Sequence, residues 1–283
     1  MRRFVVQWSV EREVYKKSMP NTEKHDAFPA KVGEANGEAD EDILQLPDRM
    51  PILPLRGIVV YPLTLVPIRV GQARSVRLIE EATSKKLLVG LATSHDPELE
   101  TPGPDDIYRV GTIAAVHRLF KSPDGTITLM MQGLMRMRIE QFVAETPYLM
   151  ARVSHHPETV ERSLEVEALH RTILAKFNRL SELSPAVSEE MSKMILDVDN
   201  PLQLAYAIAN HIKLDLEQAQ AVLEIDSLVE KMRTVLELLN KELEVLELGH
   251  KIQSEAQSEM EKTQREYFLR EQLKAIQLSL IHI

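Results

Sequence analysis

No cysteine occurs anywhere in the 283 residues, which excludes disulfides and thiolate metal sites and suits a reducing compartment. Aromatic residues are scarce at 5%, and Trp8 is the single tryptophan; a stacking platform for single-stranded nucleic acid needs more. No apolar run approaches the ~18 residues that span a bilayer, so the expected location is cytoplasmic with no membrane contact. Met1-Arg2-Arg3 precedes a short apolar stretch and then Glu11, Arg12 and Glu13, without the apolar core and cleavage site of a secretory signal. Cations are the minority: 34 Lys and Arg against 43 Asp and Glu leave a net charge of −9. That balance disfavours broad attraction to polyphosphates, DNA included.

Glycine is sparse too, ten in all, and none is followed by lysine, so there is no G-x-x-x-x-G-K-[ST] phosphate loop. The G-x-S-x-G and H-E-x-x-H patterns are also missing. His155 and His156 would point to opposite faces of a continuing strand and could not chelate one ion. Ser84-Lys85 and Ser192-Lys193 are neighbours of common surface type, and adjacency rarely yields a dyad. The expectation is a non-enzymatic chain with no catalytic residue, cofactor or metal of its own.

What is present is enough for two ordinary domains, with 44% apolar and 27% charged residues, as in soluble globular proteins. Residues 1–45 read as a disordered acidic leader, with Gly33, Gly37 and Asp40-Glu41-Asp42 in a composition that cannot offset the entropy of ordering. Met19 competes with Met1 as the start. From Met50 the texture is β-rich. Pro51, Pro54, Pro62 and Pro67 suit short strands at sheet edges and turns. Gln72 to Thr83 reads as a helix and Leu87–Leu91 as a buried strand. Val110–Phe120 and Thr126–Gln132 form a hairpin through Ser122-Pro123-Asp124-Gly125; further strand texture follows at Arg136–Ala144 and Leu149–Val153.

After His155-His156-Pro157 the period becomes helical. Asn200-Pro201 is a cap followed by proline in the first turn, Asp215 with Gln218 is a capping-box pattern, and Ser184-Pro185 is a weaker start. Ser227 with Glu230 opens a helix to about Gln277, on which Leu228, Met232, Val235, Leu239, Leu243 and Leu246 step by three or four residues. Roughly 50 residues would reach ~75 Å. So narrow a stripe needs a partner helix along its seam, which makes Leu239, Leu243, Leu246, Ile252, Met260 and Tyr267 the assembly candidates. Gly249 marks an expected bend or soft point. Met130, Met131, Met135 and Met137 cluster around Gly133 and Arg136. Flexible thioethers suit a surface that receives unfolded segments, so these are the substrate-contact candidates, set against core filling by alternate methionines.

Four segments resemble one family. Met50-Pro51-Ile52-Leu53-Pro54-Leu55-Arg56-Gly57-Ile58-Val59-Val60-Tyr61-Pro62 is similar to the opening of the amino-terminal domain of the ATP-dependent Lon proteases. Tyr108-Arg109-Val110-Gly111-Thr112-Ile113-Ala114, Gln132-Gly133-Leu134-Met135-Arg136-Met137-Arg138-Ile139 and Gln264–Gln277 match further family segments in order. The resemblance implies an α+β chain: a small PUA-like β-barrel domain over 46–156, a helical bundle over 157–226 and a long, coiled-coil-like connector helix over 227–277. It implies a part that engages misfolded or regulatory protein substrates in quality control and supports assembly of a homohexamer. The ATPase module, which takes ATP and Mg, and the Ser-Lys peptidase would follow this segment. Leu278–Ile283 departs from the family's charged, glycine-containing continuation and matches the in-frame translation of a sequencing-library transposon end, so 278–283 is expected to be a non-native tail of a truncated gene model. The competing reading is a stand-alone PUA-like domain binding RNA or a small ligand through Arg56, Arg69, Arg74, Arg77, Lys85 and Lys86. A free-standing binder has no use for so long a helix.

Overall fold

A computed structural model describes residues 47, 49–121, 126–161, 163–184 and 187–281, with side chains through Gln272. The leader over 1–45 and the Ser122–Gly125 turn lie outside the described residues. Six strands come first: β1 (Met50–Leu55), β2 (Leu65–Val70), β3 (Val89–Thr93), β4 (Val110–Lys121), β5 (Ile127–Ala144) and β6 (Met150–His155). Helix α1 (Ala73–Lys85) joins β2 to β3. Five helices follow: α2 (Leu164–Leu183), α3 (Glu189–Leu196), α4 (Pro201–His211), α5 (Leu216–Glu224) and α6 (Leu228–Ile281). The chain is therefore mixed α+β. No helix among the described residues is long and apolar enough to cross a membrane.

The strands form one sheet in the order β2-β5-β4-β3-β1-β6, and β6 pairs a second time with β5. The texture that reads as two strands on either side of Gly133 is a single strand of 18 residues. Ile127–Gln132 of β5 pair with β2, and Met137–Ala144 pair with β6. Register shifts at Ile113/Ala114, Val116/Arg118, Ile139/Gln141 and Phe142/Ala144 are bulges, which bend a strand and raise its twist. One long strand can thus serve two neighbours on one edge.

The prolines divide between an edge and an interior. Pro67 lies on β2, which has one neighbour. Pro54 instead lies on β1, between β3 and β6, contrary to the edge expected from sequence. The reason lies in the extent of its neighbour. Ile52 donates its N–H to Leu149 O at 2.8 Å, and two residues on, the Pro54 nitrogen faces that same side. There β6 has already stopped, since it pairs only with Met50 and Pro51. The missing donor costs nothing at that point.

Alternate residues of the sheet face inward. Val66, Ile68, Leu129 and Met131 are buried with Leu78, Ile79 and Ala82 of α1, the i, i+1, i+4 stripe that docks a helix on a sheet. Gly133 is required by a close approach, for a Cβ there would lie 2.2 Å from Tyr61 O. Past β6 the caps read from sequence are formed. Asn200 Oδ1 accepts from Leu202 N at 2.9 Å and Gln203 N at 3.2 Å, and Asp215 and Gln218 complete a capping box. Helix α6 buries Leu228, Met232, Val235, Leu239 and Leu243 while packing on α2 and α4. Each such burial stabilises by about 2 kcal/mol before entropy is counted. The helix is continuous through Gly249 for 54 residues, about 80 Å.

Candidate functional site

One buried arginine stands where the sheet meets the helices. Arg136 lies on β5 with its side chain fully buried. By alternation it stands on the face of the strand opposite to its neighbours Met135 and Met137. Its Nε donates to His156 O at 2.8 Å, and Nη1 donates to Leu223 O and Ile225 O, each at 2.9 Å. Nη2 donates to Pro157 O at 3.2 Å and to Asp226 Oδ1 at 2.6 Å. Leu223 and Ile225 end α5, where carbonyls lack helical partners and the helix dipole is negative. A planar guanidinium with five donors fits that place, and an ammonium does not.

Beside it, Glu158 lies 3.6 Å from Arg136 Nε and 3.3 Å from Lys231 Nζ. Lys231 is fully buried on α6 and donates to the Tyr206 hydroxyl, which donates to Glu158. Burial pushes the Lys231 ammonium down to about 8, against the opposing pull of Glu158. Burial likewise raises Tyr206, helped by the Glu158 charge. The Tyr206 ring stacks on Tyr61 at 5.3 Å, and Tyr61 donates to Ala219 O at 3.0 Å. Gln220 Nε2 reaches Val110 O at 2.9 Å. Thr159 and Ser227 add a bridge between the link after β6 and the start of α6. The arrangement holds no nucleophile beside a free base; its chemistry is to fix one element against another.

The methionine candidates are not brought together on a surface. Met131 and Met137 are fully buried, and Met135 packs half-buried on the cluster that holds Ile113 and Met137. These three fill core, Met131 in one cluster and Met135 and Met137 in another. Met130 alone faces outward, half-buried, opposite Pro67 and Arg118. The assembly candidates also divide. Leu239 and Leu243 are buried and Leu246 is partly buried against the chain's own helices, so the partner along that part of the seam is α2 and α4. Ile252, Met260 and Tyr267 are 58%, 60% and 68% exposed. Of the basic residues, Lys85 is ion-paired to Glu81 at 2.5 Å and Arg74 donates to Pro102 O at 2.9 Å.

Sequence reasoning missed the junction. An arginine between Met135 and Met137, on a strand with apolar neighbours, was the available signal for Arg136. Lys231, one residue before the stripe position Met232, carries no such mark.

Residues 49–241 match the sequence profile of the ATP-dependent protease La (LON) substrate-binding domain. The Lon protease of Dictyoglomus thermophilum is 41% identical over 235 residues, which is 83% of this chain and 30% of that protein. That of Trichlorobacter lovleyi is 39% identical over 241 residues, 85% of this chain and 30% of that protein. The chain thus spans about 30% of the length of these relatives. Among solved structures, the N-terminal domain of Mycobacterium avium complex Lon protease superposes with a TM-score of 0.54 at 22% identity, covering 68% of this chain and 98% of that one. A Lon N-terminal domain protein from Xanthomonas campestris gives 0.50 at 17% identity, covering 66% of this chain and 96% of that one. The likeness to these structures is one of fold. The profile match and the identities carry the assignment: the chain belongs to the Lon substrate-binding domain family.

Proposed function

We propose that this chain is the substrate-engaging amino-terminal part of an ATP-dependent Lon protease, acting in the cytoplasm on misfolded or regulatory proteins. The family match over 49–241 is the observation that carries the reading. In this view the second pairing of β6 closes the sheet into a PUA-like barrel over 46–156. Arg136 and Lys231 clamp that barrel to the 157–226 bundle, so a captured chain is presented in a fixed orientation to the connector at 227–277. ATP, Mg and the Ser-Lys peptidase chemistry belong to modules beyond this segment, and the segment itself neither hydrolyses ATP nor cleaves peptides. Met130 is the methionine placed to meet substrate.

The exposed end of α6 serves self-association toward a homohexamer, coiled-coil fashion, through Ile252, Met260 and Tyr267. Two measurements test the two halves. Fluorescence anisotropy with a denatured, carboxymethylated model protein should show weak, saturable binding; none at all would refute substrate engagement. Sedimentation velocity should show concentration-dependent association that Ile252→Glu with Tyr267→Glu abolishes, and a monomer at every concentration would refute the assembly half.

A further inference from the structure

Strand β5 is covered at one place and open at another. At Arg136 the link after β6 and the helices cover it. Six residues earlier, at Met130, it is open, and the ladders to β2 and β4 set out a grid there. One row across β2, β5 and β4 is Leu65, Gln132 and Ala115; the next is Pro67, Met130 and Arg118; the third is Arg69, Thr128 and Phe120. Their inward neighbours Val66, Ile68, Leu129 and Met131 are core, so the nine side chains stand together on the other side. Leu65 is 50% exposed and Phe120 55%; Pro67, Arg69 and Arg118 are exposed as well. Leu63, also exposed and at φ 60°, is tied to Gly133 O at 3.0 Å and extends the apolar corner beyond Leu65.

The charge on this face has one sign. Arg69 and Arg118 stand in it, no aspartate or glutamate occupies any of the nine positions, and neither arginine is ion-paired among the described residues. In a chain of net charge −9, two free cations flanking apolar side chains favour an acidic partner. The spacing says what shape of partner. Rows repeat every ~6.8 Å, the distance between alternate side chains of an extended chain. The free edge of β2 is a poorer place for that chain to add, because Pro67 interrupts it.

We propose that this face docks an extended polypeptide segment that presents both apolar side chains and carboxylates on one side, at every second residue, the apolar ones over Leu65, Met130 and Phe120 and the carboxylates toward Arg69 and Arg118. The inference rests on the reading of the chain as a substrate-engaging part and names what that part prefers. The test uses the whole chain and three labelled extended peptides of one apolar pattern, with Glu, Gln or Lys at the remaining positions of the same side. At low salt the Glu peptide should bind roughly tenfold more tightly than the Lys peptide, the scale of two exposed ion pairs gained rather than opposed. High salt should shrink that preference. Arg69→Glu with Arg118→Glu should invert it, and Leu65→Ser with Phe120→Ser should weaken all three peptides, with far-UV circular dichroism unchanged because these side chains lie outside the core. Equal binding of the Glu and Lys peptides, or indifference to the arginine exchange, would overturn the proposal. If the denatured model protein still bound in that case, substrate engagement would stand and only this surface would fall; if it too failed, both would fall.

Discussion

Replacing Arg136 by methionine tests whether one side chain holds the helices to the sheet. The change keeps a long apolar stem and removes five donors' worth of guanidinium from a site with no solvent access. Four carbonyls and Asp226 lose their partner. Asp226 is 61% exposed, so water replaces the arginine there at little cost. Leu223 O has no such substitute, and a dry unsatisfied acceptor costs about 1–3 kcal/mol. The carbonyls of His156, Pro157 and Ile225 are partly buried and add roughly 0.5–1 kcal/mol each. Glu158 keeps Lys231 as a partner at 3.3 Å, which limits the electrostatic loss. The sum is about 2.5–6 kcal/mol, which brackets the ~3–5 kcal/mol for opening a buried charged cluster from one side. Urea unfolding followed by far-UV circular dichroism measures it. Arg136→Lys should recover less than half of the loss, because an ammonium cannot reach carbonyls on two sides of a plane. A loss below ~1 kcal/mol for the methionine variant, or full recovery by lysine, would refute the reasoning.

Other outcomes follow from the same geometry. Lys231 titrates near 8 in the folded chain and at 10.5 when exposed, so between these values the unfolded chain holds the extra proton and stability rises with pH. The burden of the charged amine is present in full below pH 8, and wild type should gain on the order of 3 kcal/mol over Lys231→Met between pH 8 and 10.5; a flat difference in paired urea titrations would contradict this. Gly133→Ala pushes a Cβ against Tyr61 O and should cost about 2–3 kcal/mol as overpacking against backbone, read as a lower urea midpoint with unchanged slope. Asn200→Ala removes the acceptor for two amides at the start of α4 and should cost about 1 kcal/mol, with Asn200→Asp near wild type by thermal unfolding.

Local chemistry was legible, and contacts between distant segments were not. The caps at Asn200 and Asp215, α1 and the β4–β5 pairing all follow from residues within a few positions of one another. Pro54 on an interior strand depends on where β6 stops, nearly a hundred residues later, and no local rule contains that. Arg136 meets partners 87 and 89 residues away. The alternation of β5 sets it opposite Met135 and Met137 but says nothing of what covers it. The methionines illustrate the same limit. Period two separates Met130 from Met131, and the register shift opposite Ile113/Ala114 sends Met131 and Met137 to different clusters, while their shared chemistry had suggested one surface.

The long helix carries the point further. Its stripe from Leu228 to Leu246 and its sparser continuation through Ile252, Met260 and Tyr267 obey one helical period, and a period states only which side chains share a face. The first part is buried because α2 and α4 lie alongside it; the second is exposed because no described element reaches that far. A seam filled by its own chain has no capacity left to bind a second copy. Any self-association through α6 therefore has to act beyond Leu246, where removing an apolar side chain uncovers no core. That gives substitutions at Ile252 and Tyr267 a clean reading: they change association without changing the urea midpoint, whereas the same change at Leu239 or Leu243 unfolds the bundle and says nothing about assembly.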